Sequence, residues 1–474
     1  MSTVRRVARN TGIIIVGDIV FRLISLAVTI YLARYLGTAG FGKYNFVFAY
    51  LAFFNILTDL GLQTILVREM SRDPSITPKL IGNAYIIRLI LTVTAIISSI
   101  VVITLMSYPA DTTTYVYIAS LTVLFVSFSD FYRTIFEANL RMEYSIIAKL
   151  AFKGLSAGLI LWIVFTKGTL LHIMIALVFS EMVKTLLSYL FSRKFVRPRF
   201  EIDFKLWRYL LREALPLALS SVILIIYYRI DVVMLSMMKG DTPVGLYSAA
   251  YKLSEPLSLI PSALVTSLFP IMSASFKSSR EKLIKTYRLG IKYILIIMLP
   301  IAMGTTLLAD KIIFWIYGME FSGSVTALQI LIWALVFTSI NPILTRLLTS
   351  IGEQKLNTVS HTLCAIVNVT LNLILIPTLN YNGAAIATVI TNVIFSMLSF
   401  YFISKHMRIP PPYRIFMRLI ISILFIAIFI YSASHILNIL LTISLAIGTY
   451  LVTLMVLKVL NGEDISLFRK VLKM

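Results

Sequence analysis

Fourteen apolar runs, most of them near twenty residues or longer, follow one another through this chain with short polar breaks between them. They lie near 11–35, 41–64, 81–106, 114–137, 146–166, 169–191, 214–237, 244–272, 289–309, 325–348, 357–377, 383–404, 415–434 and 437–458. About 20 such residues are what a helix needs to cross a hydrocarbon layer of roughly 30 Å. The 474 residues are 59% hydrophobic and only 14% charged, too little polar surface for an ordinary soluble globule. An all-α integral membrane protein of fourteen transmembrane helices is therefore expected.

The formal charge of +22, from 43 basic and 21 acidic side chains, would point to nucleic acid in a soluble protein. Here its placement explains it. If the N-terminus is cytoplasmic, the inner segments hold Arg5, Arg6 and Arg9, then Arg68, Arg72 and Lys79, then a dense set from Arg193 to Arg212, and later Lys277 to Arg288. The outer loops hold little beyond Lys167, Lys239 and Lys311. This is the positive-inside pattern, so both termini are assigned to the cytoplasmic side of the cell membrane and no nucleic-acid partner is needed. Cys364 alone excludes an intramolecular disulfide, and four scattered histidines do not favour a metal site. The stretch after "MSTVRRVARNTG" is too long for a signal-peptide core and lacks a small-residue cleavage site, so it reads as a retained first span.

The longest inner segment, "RKFVRPRFEIDFKLWRYLLRE", divides the chain. Phe204, Trp207, Leu210 and Leu211 share one helical stripe and Lys205, Arg208 and Arg212 another, the pattern of a helix lying in the headgroup layer. The expected division is an N-lobe at 1–192, a cytoplasmic interfacial linker at 193–213, a C-lobe at 214–405, and two further spans with a tail at 406–474. An internal repeat supports two lobes. "LGTAGFGKY" and "MKGDTPVGLY" place Gly37, Gly42 and Tyr44 against Gly240, Gly245 and Tyr247, each 203 positions apart. "SYLFSRK" and "SFYFISK" correspond at an offset of 211. Six spans per unit is an even number, so the repeats enter the membrane in the same orientation, related by an axis along its normal. Spans 13 and 14, beyond "IPPPYR", carry almost no charge and are readable either as an appendage on one lobe or as lipid-facing support.

The combination "ARYLGTAGFGKY", "DLGL", "RIDVVMLSMMKGDTPVGLYSAAYK", "FPIMS" and "NYNGAAIATVITN" resembles the polysaccharide transporter family, lipid-linked oligosaccharide flippases of the multidrug/oligosaccharidyl-lipid/polysaccharide exporter superfamily. The resemblance covers roughly residues 10 to 405 and implies two parallel six-helix bundles in a V around a solvated central cavity. The fourteen-span count is also similar to the lipid II flippase branch, where the two extra helices are thought to accommodate a lipid tail.

Such a substrate carries an anionic phosphate or pyrophosphate across a low-dielectric layer, and buried cations offset that cost. The run at 215–238 holds Arg229 and Asp231, and either charge at a helix centre costs roughly 2.5 to 3.5 kcal/mol. Two positions apart, they project in different directions and need partners on other helices. The candidate headgroup contacts are Arg22, Arg229, Lys252, Arg133 and Lys153, with arginine favoured by its bidentate geometry. Asp18 lies four residues from Arg22, Glu137 four from Arg133 and Glu255 three from Lys252, so each is also readable as a structural pair. Asp18, Asp231 and Glu255 are the candidates for ion coupling or pairing, and Arg229, Asp231, Lys252 and Glu255 fall at similar depth. Arg88 and Arg346, nearer the cytoplasmic ends, are expected to snorkel. Asn368, Asn372 and Asn392 read as helix packing before sugar binding. Asp111, Asp241 and Asp310 show no paired-carboxylate arrangement. Proline at 216, 256, 261, 270, 300 and 342 interrupts the helices, as hinges or as static kinks.

No catalytic cluster or cofactor motif is present in the sequence, so the chain is not read as an enzyme. The first reading is a flippase moving polyprenyl-linked oligosaccharide from the cytoplasmic to the outer leaflet by alternating access. A sodium or proton gradient is a candidate driving force, and glycan-assembly enzymes and membrane lipids are candidate partners. The alternative is a drug/cation antiporter, which calls for twelve spans and carboxylates without adjacent cations. A membrane glycosyltransferase or polymerase calls for a large outer catalytic loop, and these loops are short.

Overall fold

The computed structural model describes residues 3–407, 413–433 and 438–460, with side chains described from Val20 onward except at positions 260, 277 and 413–415. Every regular element among the described residues is helical. In order they are α1 (Thr3–Asp59), α2 (Leu62–Arg72), α3 (Thr77–Leu105), α4 (Ala110–Ala138), α5 (Glu143–Phe165), α6 (Leu170–Ser192), α7 (Phe204–Lys239), α8 (Asp241–Ser254), α9 (Leu259–Ser278), α10 (Arg280–Leu307), α11 (Ala309–Ile316), α12 (Ser324–Ser350), α13 (Gln354–His406), α14 (Tyr413–Ala433) and α15 (Ile439–Val456). Twelve helical stretches are long and apolar enough to cross a membrane, and two of them, Val20–Arg72 and Gln354–His406, run for 53 residues each. Both carry an internal break, at Gly37 (φ 66°) and Asn380 (φ 55°), which divides each into two crossings. Fourteen membrane crossings result among the described residues, in agreement with the fourteen apolar runs, and the chain is a multi-pass membrane protein.

The breaks follow the repeat. Gly37 (φ 66°, ψ −177°) and its counterpart Gly240 (φ 79°, ψ −164°) hold nearly the same left-handed, extended conformation, which a side chain disfavours. Five residues further along each repeat, Gly42 and Gly245 admit a close backbone crossing. A Cβ on Gly42 would lie 1.9 Å from the Asp241 carbonyl oxygen, and one on Gly245 would lie 1.9 Å from that of Thr38.

The chain forms two compact units, residues 1–245 and 246–474. The first packs Leu62, Leu66 and Met70 of α2 against Ile81 of α3, Phe131 and Phe136 of α4, and Leu210 and Ala214 of α7. The second packs α10 and α12 together with Leu419, Ile423, Tyr450 and Leu454 of α14 and α15. Spans 13 and 14 are thus joined to the core of this unit, and the Tyr450 hydroxyl donates to the Ile296 carbonyl of α10 at 2.7 Å.

The stripe Phe204, Trp207, Leu210 and Leu211 forms the first turns of α7, a single 36-residue helix that runs on through Pro216 to Lys239, and not a separate helix along the surface. Local chemistry starts it: the Asp203 carboxylate caps the N–H groups of Lys205 and Leu206 at 3.0 and 3.1 Å. The preceding segment is tied to α3. Asn83 Oδ1 accepts from the Asp203 N–H at 2.9 Å and from Trp207 Nε1 at 2.8 Å, and Lys79 pairs with Asp203 at 2.7 Å. That pairing, more than the backbone caps, holds the Asp203 carboxyl below the usual carboxylate range.

Candidate functional site

In the first unit, "DLGL" is a corner built around one carboxylate. Leu60 and Gly61 both take left-handed conformations, and Asp59 accepts from the N–H groups of Gly61 and Gln63 at 3.1 and 3.2 Å, capping α2. The same Asp59 pairs with Arg88 of α3 at 2.7 Å. Arg88 is only 2% exposed and also donates to Ser127 Oγ at 3.0 Å. The expectation that Arg88 snorkels is therefore corrected: an internal carboxylate removes the need to reach the headgroups.

Arg229 and Arg22 have no hydrogen-bond or ion-pair partner among the described residues, and both are part-buried. Asp18, the acid placed four residues before Arg22, lies outside the residues whose side chains are described. Arg133 of α4 does not pair with Glu137, which accepts from Gln63 Nε2 at 3.2 Å; the Arg133 Nε is buried without a hydrogen-bond partner. Asp231 is 5% exposed and accepts from the N–H of Val232 at 2.8 Å. Guanidinium groups held partly out of water without a carboxylate mate are suited to an incoming anion, since their desolvation is not offset within the described protein.

Lysines from α5 gather beside α1. Lys149 and Lys153 sit 4.6 and 5.4 Å from the ring of Phe21, the neighbour of Arg22. Lys153 and Asp130 also act on the buried Glu181 of α6, which is ion-paired to Lys184. The sequence reading passed over Lys149, Asp130, Glu181 and Lys184. The available signal was "SEMVK", an acid and a base three apart inside an apolar run, the same spacing noted at Lys252 and Glu255.

Lys43 was also overlooked. It pairs with Asp111 and lies 3.8 Å from Asp241, so two carboxylates that look isolated in sequence share one cation. Tyr108 stacks on Phe46 at 4.6 Å and donates to Ser236 Oγ at 3.1 Å; burial pushes its phenol up to about 12 and keeps it a neutral donor.

In the second unit Lys252 pairs with Glu255 at 2.9 Å. Glu255 opens a short 3₁₀ turn, Glu255–Ser258, where Pro256 separates α8 from α9. Arg346 is exposed, its guanidinium 4.7 Å from the Phe269 ring. Buried amides join α12 to the second half of α13, where Asn392 Oδ1 accepts from Thr338 and Asn341 at 3.0 and 3.3 Å, and join the two halves of α13, where Asn368 Nδ2 donates to Thr391 Oγ1 at 3.3 Å. A cavity of about 410 Å³ with apolar walls lies among α10, α14 and α15, lined by Pro300, Ile301, Ile426, Ile430 and Tyr450.

Comparison with known proteins gives the family and the fold. The family model described as polysaccharide biosynthesis protein matches residues 7–276, and the MatE model matches residues 216–374. A probable low-salt glycan biosynthesis flippase of Haloferax volcanii is 24% identical over 184 residues, 39% of this chain and 39% of that relative. The chain thus matches about two fifths of the length of that curated relative. Among solved structures, a lipid II flippase in an inward closed conformation has a similar fold, with TM-score 0.78 and 15% identity over 92% of this chain and 97% of that one. An inward-facing multidrug resistance MATE family transporter of the MOP superfamily follows, with TM-score 0.68 and 19% identity over 81% and 93%.

Proposed function

The chain belongs to the polysaccharide biosynthesis protein family of the MOP superfamily, and from that premise we propose that it is a flippase. It carries polyprenyl-phosphate- or pyrophosphate-linked oligosaccharide from the cytoplasmic to the outer leaflet by alternating access, for assembly of a surface polysaccharide or another glycan, and forms no covalent bond. Both termini face the cytoplasm, following the basic inner segments. The observation that carries the reading is the set of part-buried arginines, Arg22, Arg133 and Arg229, without carboxylate mates among the described residues. An anionic headgroup supplies the missing counter-charge. The relative named as a probable glycan flippase supports the substrate class, and the apolar cavity beside α14 and α15 supports a place for the polyprenyl tail.

The match to the MatE model and the MATE-like fold favour the drug/cation antiporter as the second reading. Against it, two acids within the helices stand beside cations, Glu255 with Lys252 and Glu181 with Lys184, whereas an antiporter calls for carboxylates without adjacent cations. A sodium or proton gradient as driving force belongs to the same proposal.

The test is transfer of a fluorescent polyprenyl-pyrophosphate sugar across proteoliposomes. Arg229→Ala is expected to lower transfer at least about tenfold, as loss of a charge-assisted contact of about 1.5 to 3 kcal/mol implies, with an unchanged melting temperature. Arg229→Lys should keep part of the activity, because ammonium retains charge but loses the fork. Normal transfer by well-folded Arg229→Ala would remove Arg229 from the site. No transfer of this lipid by the wild type, together with uptake of organic cations, would favour the antiporter.

A further inference from the structure

We propose that the first unit carries a separate binding site for an anionic phospholipid, in a groove of about 780 Å³ between α3, α4, α6 and the segment that follows α6. Its walls are aromatic. Tyr85, Phe128 and Phe131 form one side, with ring centroids 4.9 Å apart for Tyr85–Phe128 and 5.9 Å for Tyr85–Phe131, and Tyr132 meets Tyr189 at 5.7 Å on the other. Leu89, Met182 and Leu186 line the same groove and are 40, 40 and 53% exposed, so it opens on the flank of the helices where acyl chains lie.

The groove is a built feature of the fold. Its end is closed by residues 193–200, and Arg199 donates its N–H to the Pro78 carbonyl at 2.9 Å. Gly82 makes this approach available: a Cβ there would stand 1.7 Å from the Arg199 carbonyl oxygen. Phe200 then packs edge-on against Tyr85 at 5.7 Å. An apolar slot is thus held open between a helical wall and a segment fixed by its own backbone.

Charge selects the occupant. Arg193 and Arg197 line the groove at this closed end, both are exposed, and neither has a carboxylate partner among the described residues. Arg193 rests 5.8 Å from the Tyr189 ring. No acidic residue lines the groove. Aromatic walls for the chains and two arginines at the headgroup level match one phosphate-bearing lipid, the chemistry that basic pockets between transmembrane helices recognise. None of these residues is among the candidate contacts for the transported headgroup, so this site stands apart from the proposed transport path.

The experiment uses the full-length protein in neutral detergent, mixed micelles of phosphatidylglycerol and phosphatidylcholine, and native mass spectrometry to count retained lipid. The wild type is expected to keep one phosphatidylglycerol in preference to phosphatidylcholine. Arg193→Gln and Arg197→Gln should each reduce that preference about fivefold, and Leu186→Trp, which fills the groove without changing charge, should lower retention of both lipids. The arginine variants should melt at the wild-type temperature in lipid-free detergent. Equal retention of the two lipids by the wild type, or an undiminished preference in the double arginine variant, would overturn the proposal. So would one-for-one displacement of phosphatidylglycerol by equimolar polyprenyl phosphate, which would assign the groove to the carrier lipid.

Discussion

Asp59→Ala removes the carboxylate that neutralises Arg88 and caps α2. Arg88 is 2% exposed and keeps its bond to Ser127 and its place 5.9 Å from the Phe131 ring, neither of which carries a negative charge, so the variant leaves a buried guanidinium without counter-charge. Breaking a buried pair in this way costs about 3 to 5 kcal/mol. Asp59 is 29% exposed, so water reaches one side of the pair and the lower value, about 3 kcal/mol, applies. Loss of the cap on Gly61 and Gln63 adds about 1 kcal/mol. The expected loss is therefore about 4 kcal/mol. Asp59→Asn combined with Arg88→Met retains an amide cap and removes the buried charge, and should recover most of it. Unfolding of the detergent-solubilised protein, followed by tryptophan fluorescence against increasing SDS, measures both variants. Asp59→Ala within about 1 kcal/mol of wild type, or a double variant no more stable than that single one, would refute the assignment of this pair as a structural anchor.

Gly42→Ala should destabilise by about 1 to 3 kcal/mol, because the added methyl meets the Asp241 carbonyl and backbone cannot step aside as a flexible side chain can; the same unfolding assay reads it, and Gly154→Ala, with open space around it, is the control. Asp203 has a depressed carboxyl pKa in the folded protein, so its contribution is present above the ordinary carboxylate range and is lost as pH falls through the folded value. Protection of the amides at residues 203–207, corrected for the intrinsic exchange rate at each pH, should accordingly fall in the acid range, and Asp203→Asn should abolish that dependence. If both termini face the cytoplasm as proposed, single cysteines at Thr113 and Asn380 in a Cys364→Ser background should react with an impermeant reagent from outside, and those at Ser75 and Gln354 should not; the reverse pattern would invert the orientation.

The fourteen crossings are legible because length and composition specify them locally, and the paired breaks at Gly37 and Gly240 because the repeat marks both. What escapes is contact between residues far apart in sequence. Arg88 looks like a snorkelling side chain only while Asp59, 29 positions away, is unknown as its mate. Arg133 and Glu137 have ideal helical spacing, yet Gln63 from another helix captures the acid. Asp111 and Asp241 look unrelated because the cation they share comes from a third element. The continuation of the amphipathic stripe at 204–212 into a spanning helix escapes for another reason: the first turns of such a helix, packed on one side and wet on the other, carry the same pattern as a helix lying flat. Arg22 and Arg229 were visible from sequence because a charge inside an apolar run stands out without knowledge of its neighbours.

The continuity of α7 has a mechanical consequence. Thirty-six residues at 1.5 Å each, counted through Pro216, give a helical path of about 54 Å, much longer than a hydrocarbon core of roughly 30 Å. Its foot is pinned to α3 through Asn83, while Arg229 rides 25 residues up the shaft, about 37 Å away. The helix is therefore a lever arm. A tilt of about 10° at the foot would carry the backbone at Arg229 through about 6 Å, so a small shift at one end of the helix would be magnified at the position of the charge.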